Sequence, residues 1–405
     1  MELYVLNKSF NTVAVIDEYE SINWTDRYNE AGDFELILLM SKSLLEIFVI
    51  DYYLYYSGSD HLMIIEGLEV KVDDEKGDRL TVTGRSLESI LDRRIVWEKT
   101  RFTLANNFQN AIMRLVTEAF SPINTTWGNA TAENRRLSNF RLVYTYDDDS
   151  GGPLERDMKM DAIEYWGENL YDIITDLCKS RNPDVGYKIL WDPDGSPENA
   201  FRFSLYIGKD RSSDNTEGNP PVWFSPDIEN IFNTDYYESI KGYKTTTLIV
   251  GQYPKPKQNN EEDTVIEDKT TYVFRGSSLT TYTGLNRREV FCDARNVPYK
   301  EDRNGTEYVY DWKTVVRPAL QEEGRKTLSS LSNKKAKTFE GEVDYSTTYA
   351  YGVDYKLGDV VDVMDVYGHE TKARIVEVTF SNDEEGFSIN PTFEMFGEVV
   401  GGESD

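Results

Sequence analysis

The chain has 405 residues, with 72 Asp and Glu against 44 Lys and Arg, and a formal net charge of −28. This charge argues against broad electrostatic binding to nucleic acid or to an anionic membrane, because neutralising phosphates requires clustered Lys and Arg. The two cysteines, Cys178 and Cys292, are too few for a disulfide scaffold or a thiolate metal site, and no run of about 18 apolar residues predicts a membrane span. The 27 tyrosines, together with many Thr, Val and Ile, favour a β-rich fold.

Residues 1–98 predict a first β domain. Its predicted strands cover residues 1–6, 12–16, 33–39, 52–56, 62–72 and 78–83. The last two form a hairpin around an acidic turn that contains Gly77. Ser86 then stands where it would cap a helix, because Leu87, Leu91 and Ile95 follow it at helical spacing.

In residues 99–219, the apolar pattern changes from that of strands alone to a mixture of helices and strands, which predicts an α+β insertion. Apolar spacing indicates helices over residues 106–120 and 161–180. Strands are predicted at 186–191 and 200–207, and acidic loops at 147–152 and 192–196.

Residues 220–397 predict a second β domain, beginning after Pro220-Pro221. Its predicted elements are a strand at 245–251, a long polar loop at 252–269, a helix at 312–333 that Pro318 kinks or delays, and strands at 355–363, 373–380 and 387–396. Residues 398–405 predict a flexible C-terminus.

Two stretches carry a resemblance to a known family. They are IIEGLEVKVDDEKGDRLTVTGRSLESILDRRIVW at residues 64–97, with the strand-like Gly32–Leu36 before it, and YKLGDVVDVMD, ARIVEVTF and GFSINPTFEMFG between Tyr355 and Gly397. Both resemble segments of siphophage tail-tip hub proteins, the baseplate hubs related to the N-terminal part of tail-associated lysins. The similarity covers nearly the whole chain.

The resemblance implies a mainly β, α+β protein with two hub-type β-barrels and insertions. It further implies a homotrimeric tail-tip hub, since three chains with two barrels each present six barrels to a hexameric tail tube. The implied partners are the distal tail protein, other tip proteins and the tape-measure protein. The implied location is the tail of the virion, assembled in the host cytoplasm, with DNA only passing through and no stable membrane association. The particle could be a functional phage, a prophage remnant or a tail-like bacteriocin.

Motifs that would indicate catalysis, metal binding or phosphate binding are sparse. The two histidines, His61 and His369, are remote in sequence, and no Gly-x-Ser-x-Gly elbow occurs. Neither a His-Glu-x-x-His or Cys-x-x-Cys metal motif nor a Gly-x-Gly-x-x-Gly phosphate loop occurs. The sequence therefore predicts no catalytic residue, no metal and no cofactor.

Two alternatives to a structural role remain open. A cell-wall glycan hydrolase needs only two carboxylates, and the acid-rich sequence selects no pair. Because Asp405 follows eight residues after Gly397, we expect no added C-terminal enzyme of the kind found in hub proteins that carry lysins. A receptor- or carbohydrate-binding module could use Trp127, Trp191 and Trp223, but their scattering favours separate core positions.

Arginines at strand and helix ends are the predicted assembly residues. In so acidic a chain they are suited to bidentate pairs across subunits. The predicted interface residues are Arg85, Arg93, Arg94, Arg287, Arg288 and Glu289.

Overall fold

The computed structural model describes residues 1–75, 77–103, 106–120, 126–127, 130–143, 158–160, 163–181, 184–192, 200–252, 263–265, 271–275, 282–303, 305–330, 335–343 and 348–395. Strands dominate it, so the mainly β, α+β class is confirmed. The predicted loop at 147–152, most of the turn at 192–196 and the tail at 398–405 lie outside these residues.

The N-terminal region forms seven strands, six at the positions that alternation predicted and one further strand at 21–27. They are β1 (Leu3–Leu6), β2 (Thr12–Ile16), β3 (Ser21–Arg27), β4 (Asp33–Leu39), β5 (Tyr53–Tyr56), β6 (Leu62–Lys71) and β7 (Arg79–Ser86), with a short helix α1 (Leu44–Ile47) before β5. In β4, Phe34, Leu36 and Leu38 are buried and the residues between them are more exposed, which is the period of a strand with one face in the core.

The helix predicted after β7 is a 3₁₀ helix over Leu87–Arg93, and Ser86 does not cap it. Instead, Ser86 Oγ accepts a hydrogen bond from the Gly32 backbone N–H at 2.8 Å. The capping prediction is therefore wrong, because the Ser86 hydroxyl bonds to Gly32, 54 residues away along the chain, and not to the start of the helix.

The insertion is built from two α-helices and several short strands. They are β8 (Thr100–Phe102), α2 (Phe108–Phe120), β9 (Thr126–Trp127), β10 (Ala130–Thr131), β11 (Phe140–Leu142), β12 (Ile163–Tyr165), α3 (Leu170–Asp176), β13 (Gly186–Trp191) and β14 (Phe201–Tyr206). A 3₁₀ turn covers Ala132–Arg135, and a π-helical turn over Leu177–Arg181 follows α3. Helix α2 buries Ile112, Leu115 and Val116, as its periodicity predicts.

The predicted helix over 161–180 is too long at its N-terminal end. Residues Ile163–Tyr165 are strand β12, which pairs with β8. The helix begins only at Leu170, where the Asn169 side chain accepts hydrogen bonds from the backbone N–H groups of Tyr171 and Asp172. A side-chain cap of this kind marks a helix start.

The C-terminal region contributes the remaining elements. They are β15 (Trp223–Phe224), β16 (Ile231–Ser239), β17 (Thr246–Gln252), β18 (Asp263–Val265), β19 (Thr271–Arg275), β20 (Glu289–Asp293), β21 (Lys300–Arg303), β22 (Thr306–Val309), α4 (Arg317–Ser329), β23 (Ala336–Val343), β24 (Val360–Met364), β25 (Glu370–Asp383) and β26 (Gly386–Met395). A π-helical turn over Trp312–Val316 leads directly into α4, and the Asp311 side chain accepts the backbone N–H of Thr314 at its start. Pro318 therefore lies in the first turn of α4 without interrupting this helical segment. The predicted loop at 252–269 contains β18, which pairs with β19, so that part of the prediction is wrong.

The strands of both ends of the chain share one 13-stranded sheet. Its main path runs β16-β23-β26-β25-β3-β4-β7-β6-β5-β1-β2, with β15 and β24 attached beside it. The link is the 14-residue strand β25, which pairs along its length with β26 and near its C-terminal end with β3, where Val378 lies opposite Asp26. Within the described residues this path does not close on itself, and the division into domains at 98 and 219 stays a prediction.

The core follows the sheet. One cluster combines Trp24 and Phe34 from the N-terminal region with Phe380 and Phe393 from the C-terminal region. A second cluster packs the insertion against the N-terminal strands, and a third, smaller one surrounds α4. The N- and C-terminal regions therefore bury their apolar residues against each other.

The tyrosine run at 52–56 lies between the first region and the insertion. Tyr53 stacks on Phe10 at 5.2 Å between ring centroids and meets Phe201 edge-on at 6.1 Å. Tyr55 meets Trp191 edge-on at 5.4 Å. The prediction that this run packs rather than presents a ligand platform is confirmed for these two rings.

Gly208 allows two backbone segments to touch. A Cβ at this position would lie 1.9 Å from the carbonyl oxygen of Gly358, far inside van der Waals contact. We therefore expect Gly208→Ala to lower the free energy of unfolding by about 2 kcal/mol or more, because a backbone segment must move. Gly368→Ala is the matched control, since no atom lies within 4 Å of its Cβ and only its positive φ of 83° opposes the side chain, at about 1 kcal/mol. Urea denaturation of both variants checks this; equal losses would show that the contact at Gly208 is not a constraint.

Candidate functional site at the junction of three chain regions

Two of the predicted interface arginines are joined in one local ion-pair network. Arg85 holds Glu66 with two contacts, Nε to Oε2 at 2.7 Å and Nη2 to Oε1 at 3.2 Å, and Asp92 at 3.3 Å. Arg93 Nη2 lies 3.2 Å from Asp51 Oδ1. The carboxylate partners therefore come from this chain, and the pairs are part-exposed, so each contributes about 1 kcal/mol or less.

Arg94 differs from its neighbours. Its Nη1 donates to the Arg93 carbonyl oxygen at 3.0 Å, and its guanidinium lies 5.2 Å from the centroid of the Phe120 ring. In the described part of the chain, no carboxylate lies within ion-pair distance of it. Arg94 is thus packed on an aromatic ring rather than neutralised.

The second predicted group lies on a different sheet. Arg287 Nε is 2.6 Å from Glu289 Oε1, and Arg288 Nη1 donates to the Ile240 carbonyl oxygen at 2.8 Å. Glu289 begins β20, which belongs to the four-stranded sheet β18-β19-β17-β20. The two predicted groups are therefore not brought together within one chain, and their assembly role stays a prediction.

Tyr28 is the point at which the N-terminal region, the insertion and the C-terminal region meet. Its buried hydroxyl donates to the Asp184 carbonyl oxygen at 2.6 Å and lies 3.3 Å from the Gly208 backbone N–H, which donates to it. The Arg374 guanidinium lies 5.3 Å from the ring centroid. Burial raises the pKa of Tyr28 to about 12, so the hydroxyl stays protonated.

Two ion pairs connect the C-terminal region to the insertion, one from the turn before β24 and one from β25. Arg211 Nε lies 2.8 Å from Asp359 Oδ2, and both side chains are buried. The same carboxylate accepts the backbone N–H groups of Lys209 at 2.8 Å and Lys356 at 3.0 Å. Arg374 Nη2 lies 2.6 Å from Asp184 Oδ1. A buried pair with its remaining lone pairs satisfied in this way holds a specific geometry.

A buried charge cluster lies beside this junction. His61 Nδ1 is 3.2 Å from Glu88 Oε1, which also accepts the backbone N–H of Ile189 at 2.7 Å. Asp26 accepts from Ser59 Oγ at 2.6 Å and from the indole N–H of Trp24 at 2.9 Å. Burial opposes charge on His61, but the carboxylates of Glu88 and Asp26 raise the pKa of the imidazole to about 9. Burial also raises the pKa of Asp26, while His61 outweighs burial and lowers the pKa of Glu88. His61 is therefore cationic at neutral pH.

An open cleft of about 540 Å³ lies between the three regions. It is lined by Gly58, Asp60, His61, Lys188, Leu190, Arg202, Tyr206, Gly208, Tyr351, Gly352, Lys356, Leu357 and Asp359. Its carboxylates are Asp60 and Asp359, and Asp359 is held by Arg211. This arrangement does not favour a glycan hydrolase, which needs two carboxyl groups facing the sugar.

Neither a cluster of side chains that could hold a metal ion nor a helix that could cross a membrane is found among the described residues. Among them, no group of three or more His, Cys, Asp or Glu side chains is arranged to hold a metal ion. In the same part of the chain, no helix has the length and hydropathy needed to cross a membrane.

Sequence reasoning missed the junction almost entirely. Tyr28, Arg211 and Arg374 were not singled out, and His61 was considered only as a catalytic residue. The signal that was present is the stretch YKLGDVVDVMD, which carried part of the resemblance and contains Gly358 and Asp359. Two of its partners, Lys209 and Arg211, lie 150 and 148 residues away from Asp359 along the chain, where no local pattern indicates them.

The fold is similar to those of phage tail proteins. The tail protein from Neisseria meningitidis MC58 superposes with a TM-score of 0.52 at 13% identity, covering 97% of this chain and 96% of that one. The 43 kDa tail protein of prophage MuSo2 from Shewanella oneidensis gives a TM-score of 0.52 at 12% identity, covering 97% and 98%. No curated protein sequence matches the chain.

The architecture is thus that of a phage tail protein. The family model described as Siphovirus ReqiPepy6 Gp37-like protein matches residues 2–393. The chain belongs to this family of siphovirus tail proteins, which confirms the resemblance found at residues 64–97.

The buried histidine makes stability depend on pH. The folded pKa of His61, about 9, lies above the unfolded value of about 6.5. Its contribution is therefore fully present below pH 6.5 and is lost as the pH rises through 9, by on the order of 3 kcal/mol at most. We expect the free energy of unfolding to fall across this range in the wild type and to be flatter in His61→Gln.

Urea denaturation at several pH values between 6 and 9.5 measures this dependence. His369→Gln is the matched control, because His369 is exposed and pairs with Asp365 on a hairpin turn. A His61→Gln curve that parallels the wild type would show that His61 is not the titrating group.

Proposed function

We propose that this protein is the tail-tip, or baseplate, hub of a siphophage or phage-derived tail, assembled as a homotrimer that continues the tail tube. The family and the fold support a structural tail role. The observation that carries the finer proposal is that one sheet spans both ends of the chain and that, within the described residues, the two end strands of its main path each have a free edge.

These edges are β2 and β16, which end the path of the sheet within the described residues. Val13 and Val15 on β2 are exposed, and so are Phe232 and Tyr237 on β16. Neither strand contains Pro or Lys, the residues that commonly protect an edge. Free strand edges recruit further strands through their unpaired backbone groups.

In the proposed trimer, β2 of one copy pairs with β16 of the next. This contact is heterologous, since different surfaces of each subunit meet, and such contacts form closed rings when the rotation between subunits closes. Two barrel-like units per chain then give six units around the ring, which matches a hexameric tube. The predicted domains at 1–98 and 220–397 are these units, and residues 99–219 form an outer insertion.

The predicted arginine groups are proposed to support contacts between barrels of neighbouring subunits. Arg85 and Arg93 are already oriented by Glu66 and Asp51, so they lose little side-chain freedom on association. Arg94, Arg287, Arg288 and Glu289 complete the proposed set. The bidentate geometry seen at Arg85 is the kind that gives specificity across an interface.

The net charge of −28 fits a conduit. Acidic side chains facing the channel repel DNA, so the genome slides through without being retained. The proposed partners are the distal tail protein, other tip proteins and the tape-measure protein, in the virion tail and during assembly in the host cytoplasm. No specific nucleic-acid binding, membrane association or catalysis forms part of this proposal.

The mass in solution tests the trimer. Light scattering coupled to size exclusion is expected to give three chains per particle, with a central hole in negative-stain images. Val15→Lys and Tyr237→Lys place a charge on each free edge and are expected to shift the protein towards monomer. Val353→Lys, in an exposed loop, is the control and should leave the mass unchanged.

A wild-type protein that stays monomeric at all concentrations, alone and with a distal tail protein, would contradict the trimer. Trimers of Val15→Lys and Tyr237→Lys with wild-type stability would instead contradict the edge pairing alone.

A further inference from the structure

A groove of about 360 Å³ lies between the end of the 3₁₀ helix at 87–93 and the 3₁₀ turn at 132–135. It is lined by Asp92, Arg93, Arg94, Ile95, Trp97, Asn134 and Arg135. Three of these seven side chains are cationic and one is anionic. In a chain with 28 more acids than bases, this is a local reversal of charge.

The arginines of the groove are not neutralised equally. Arg93 has Asp51 at 3.2 Å. Arg94 and Arg135 have no carboxylate at ion-pair distance among the described residues, and the buried Nε of Arg94 has no hydrogen-bond acceptor there. Burial, followed by repulsion from Arg93, lowers the pKa of Arg94, and burial followed by repulsion from Arg94 lowers the pKa of Arg135. Glu98 and Glu118 offset only part of this effect on Arg135. An anion between the two guanidinium groups would relieve their repulsion.

Aromatic rings hold these two cations in place. The Arg94 guanidinium lies 5.2 Å from the Phe120 ring centroid, and the Arg135 guanidinium lies 5.4 Å from the Trp97 ring centroid. Stacking of this kind restricts a guanidinium without using its outward N–H donors. The donors are thereby preorganised, which lowers the entropy cost of binding.

The groove also offers apolar surface. Ile95 is 40% exposed and Trp97 is 39% exposed, although both are large hydrophobic residues. Trp and Arg are the residue types enriched at the centres of protein interfaces. A ligand that matches the groove therefore carries a carboxylate beside an apolar side chain.

We propose that this groove binds an acidic peptide segment of a partner tail protein. Its carboxylate lies between Arg94 and Arg135, and the adjacent apolar side chain packs on Ile95 and Trp97. Carboxylate is favoured because guanidinium groups bind it through paired N–H donors. The inference deepens the proposed assembly role by giving the chemistry of one partner, but it does not depend on the trimer, because peptide binding and particle mass are measured separately.

The test uses the full chain and two fluorescein-labelled pentapeptides, Glu-Glu-Leu-Glu-Glu and its uncharged match Gln-Gln-Leu-Gln-Gln, in fluorescence anisotropy. The acidic peptide is expected to bind about tenfold tighter or more than the uncharged one. Arg94→Gln and Arg135→Gln are each expected to weaken it by about tenfold, and binding should weaken as NaCl rises from about 50 to about 300 mM. Arg325→Gln is the matched control, since Arg325 is an exposed arginine on α4 that pairs with Glu322.

A second readout separates binding from a structural role. Because Arg135 repels Arg94, Arg135→Gln should lose the peptide without lowering the thermal unfolding midpoint. Equal binding of the two peptides, or wild-type binding by both arginine variants, would overturn the proposal. Displacement of the peptide by inorganic phosphate or single-stranded DNA at the same concentration would overturn it as well, by showing a general anion site.

Discussion

The antiparallel pairing of β25 with β3 is the contact on which the architecture depends. It joins residues about 350 positions apart and merges strands from both ends of the chain into one sheet. The same strands carry Trp24 and Phe380 into a shared core. Because backbone hydrogen bonds and apolar burial act together here, losing this pairing would expose the inner faces of both regions at once.

Buried charged groups fix the relative positions of the three chain regions. His61, Glu88 and Asp26 lie in the interior beside the insertion, while Arg211 and Asp359 fasten the turn before β24. Placing charges out of water is costly, so these groups are poor sources of net stability compared with apolar packing. Their partners are nevertheless specific, and Tyr28 adds hydrogen bonds at the same place. The junction therefore sets how the insertion sits against the sheet.

The chain as a whole is acidic, but one surface groove is positively charged. The chain as a whole carries a net charge of −28. The groove at Arg94 and Arg135 is the opposite, since its two cations are held on aromatic rings and have no carboxylate at ion-pair distance among the described residues. Arg85 and Arg93, only a few residues away, already have carboxylate partners. The predicted interface arginines are neighbours in sequence, but they thus lie in two different electrostatic environments.

The sequence by itself determined the elements whose pattern is local. Alternation located β4 and the β6–β7 hairpin, helical spacing located α2, and the motif at 64–97 indicated the family. Where a distant group competes, local rules failed: Ser86 bonds Gly32 instead of capping a helix, and residues 163–165 pair with β8 instead of extending a helix.

Only the tertiary structure decided which strands share a sheet, which charges are buried and which arginines have no carboxylate partner among the described residues. Hydrophobic periodicity records which face of an element is buried but not what covers it. Val378 opposite Asp26, His61 beside Glu88, and Tyr28 against Asp184 all depend on how distant segments fold back on one another.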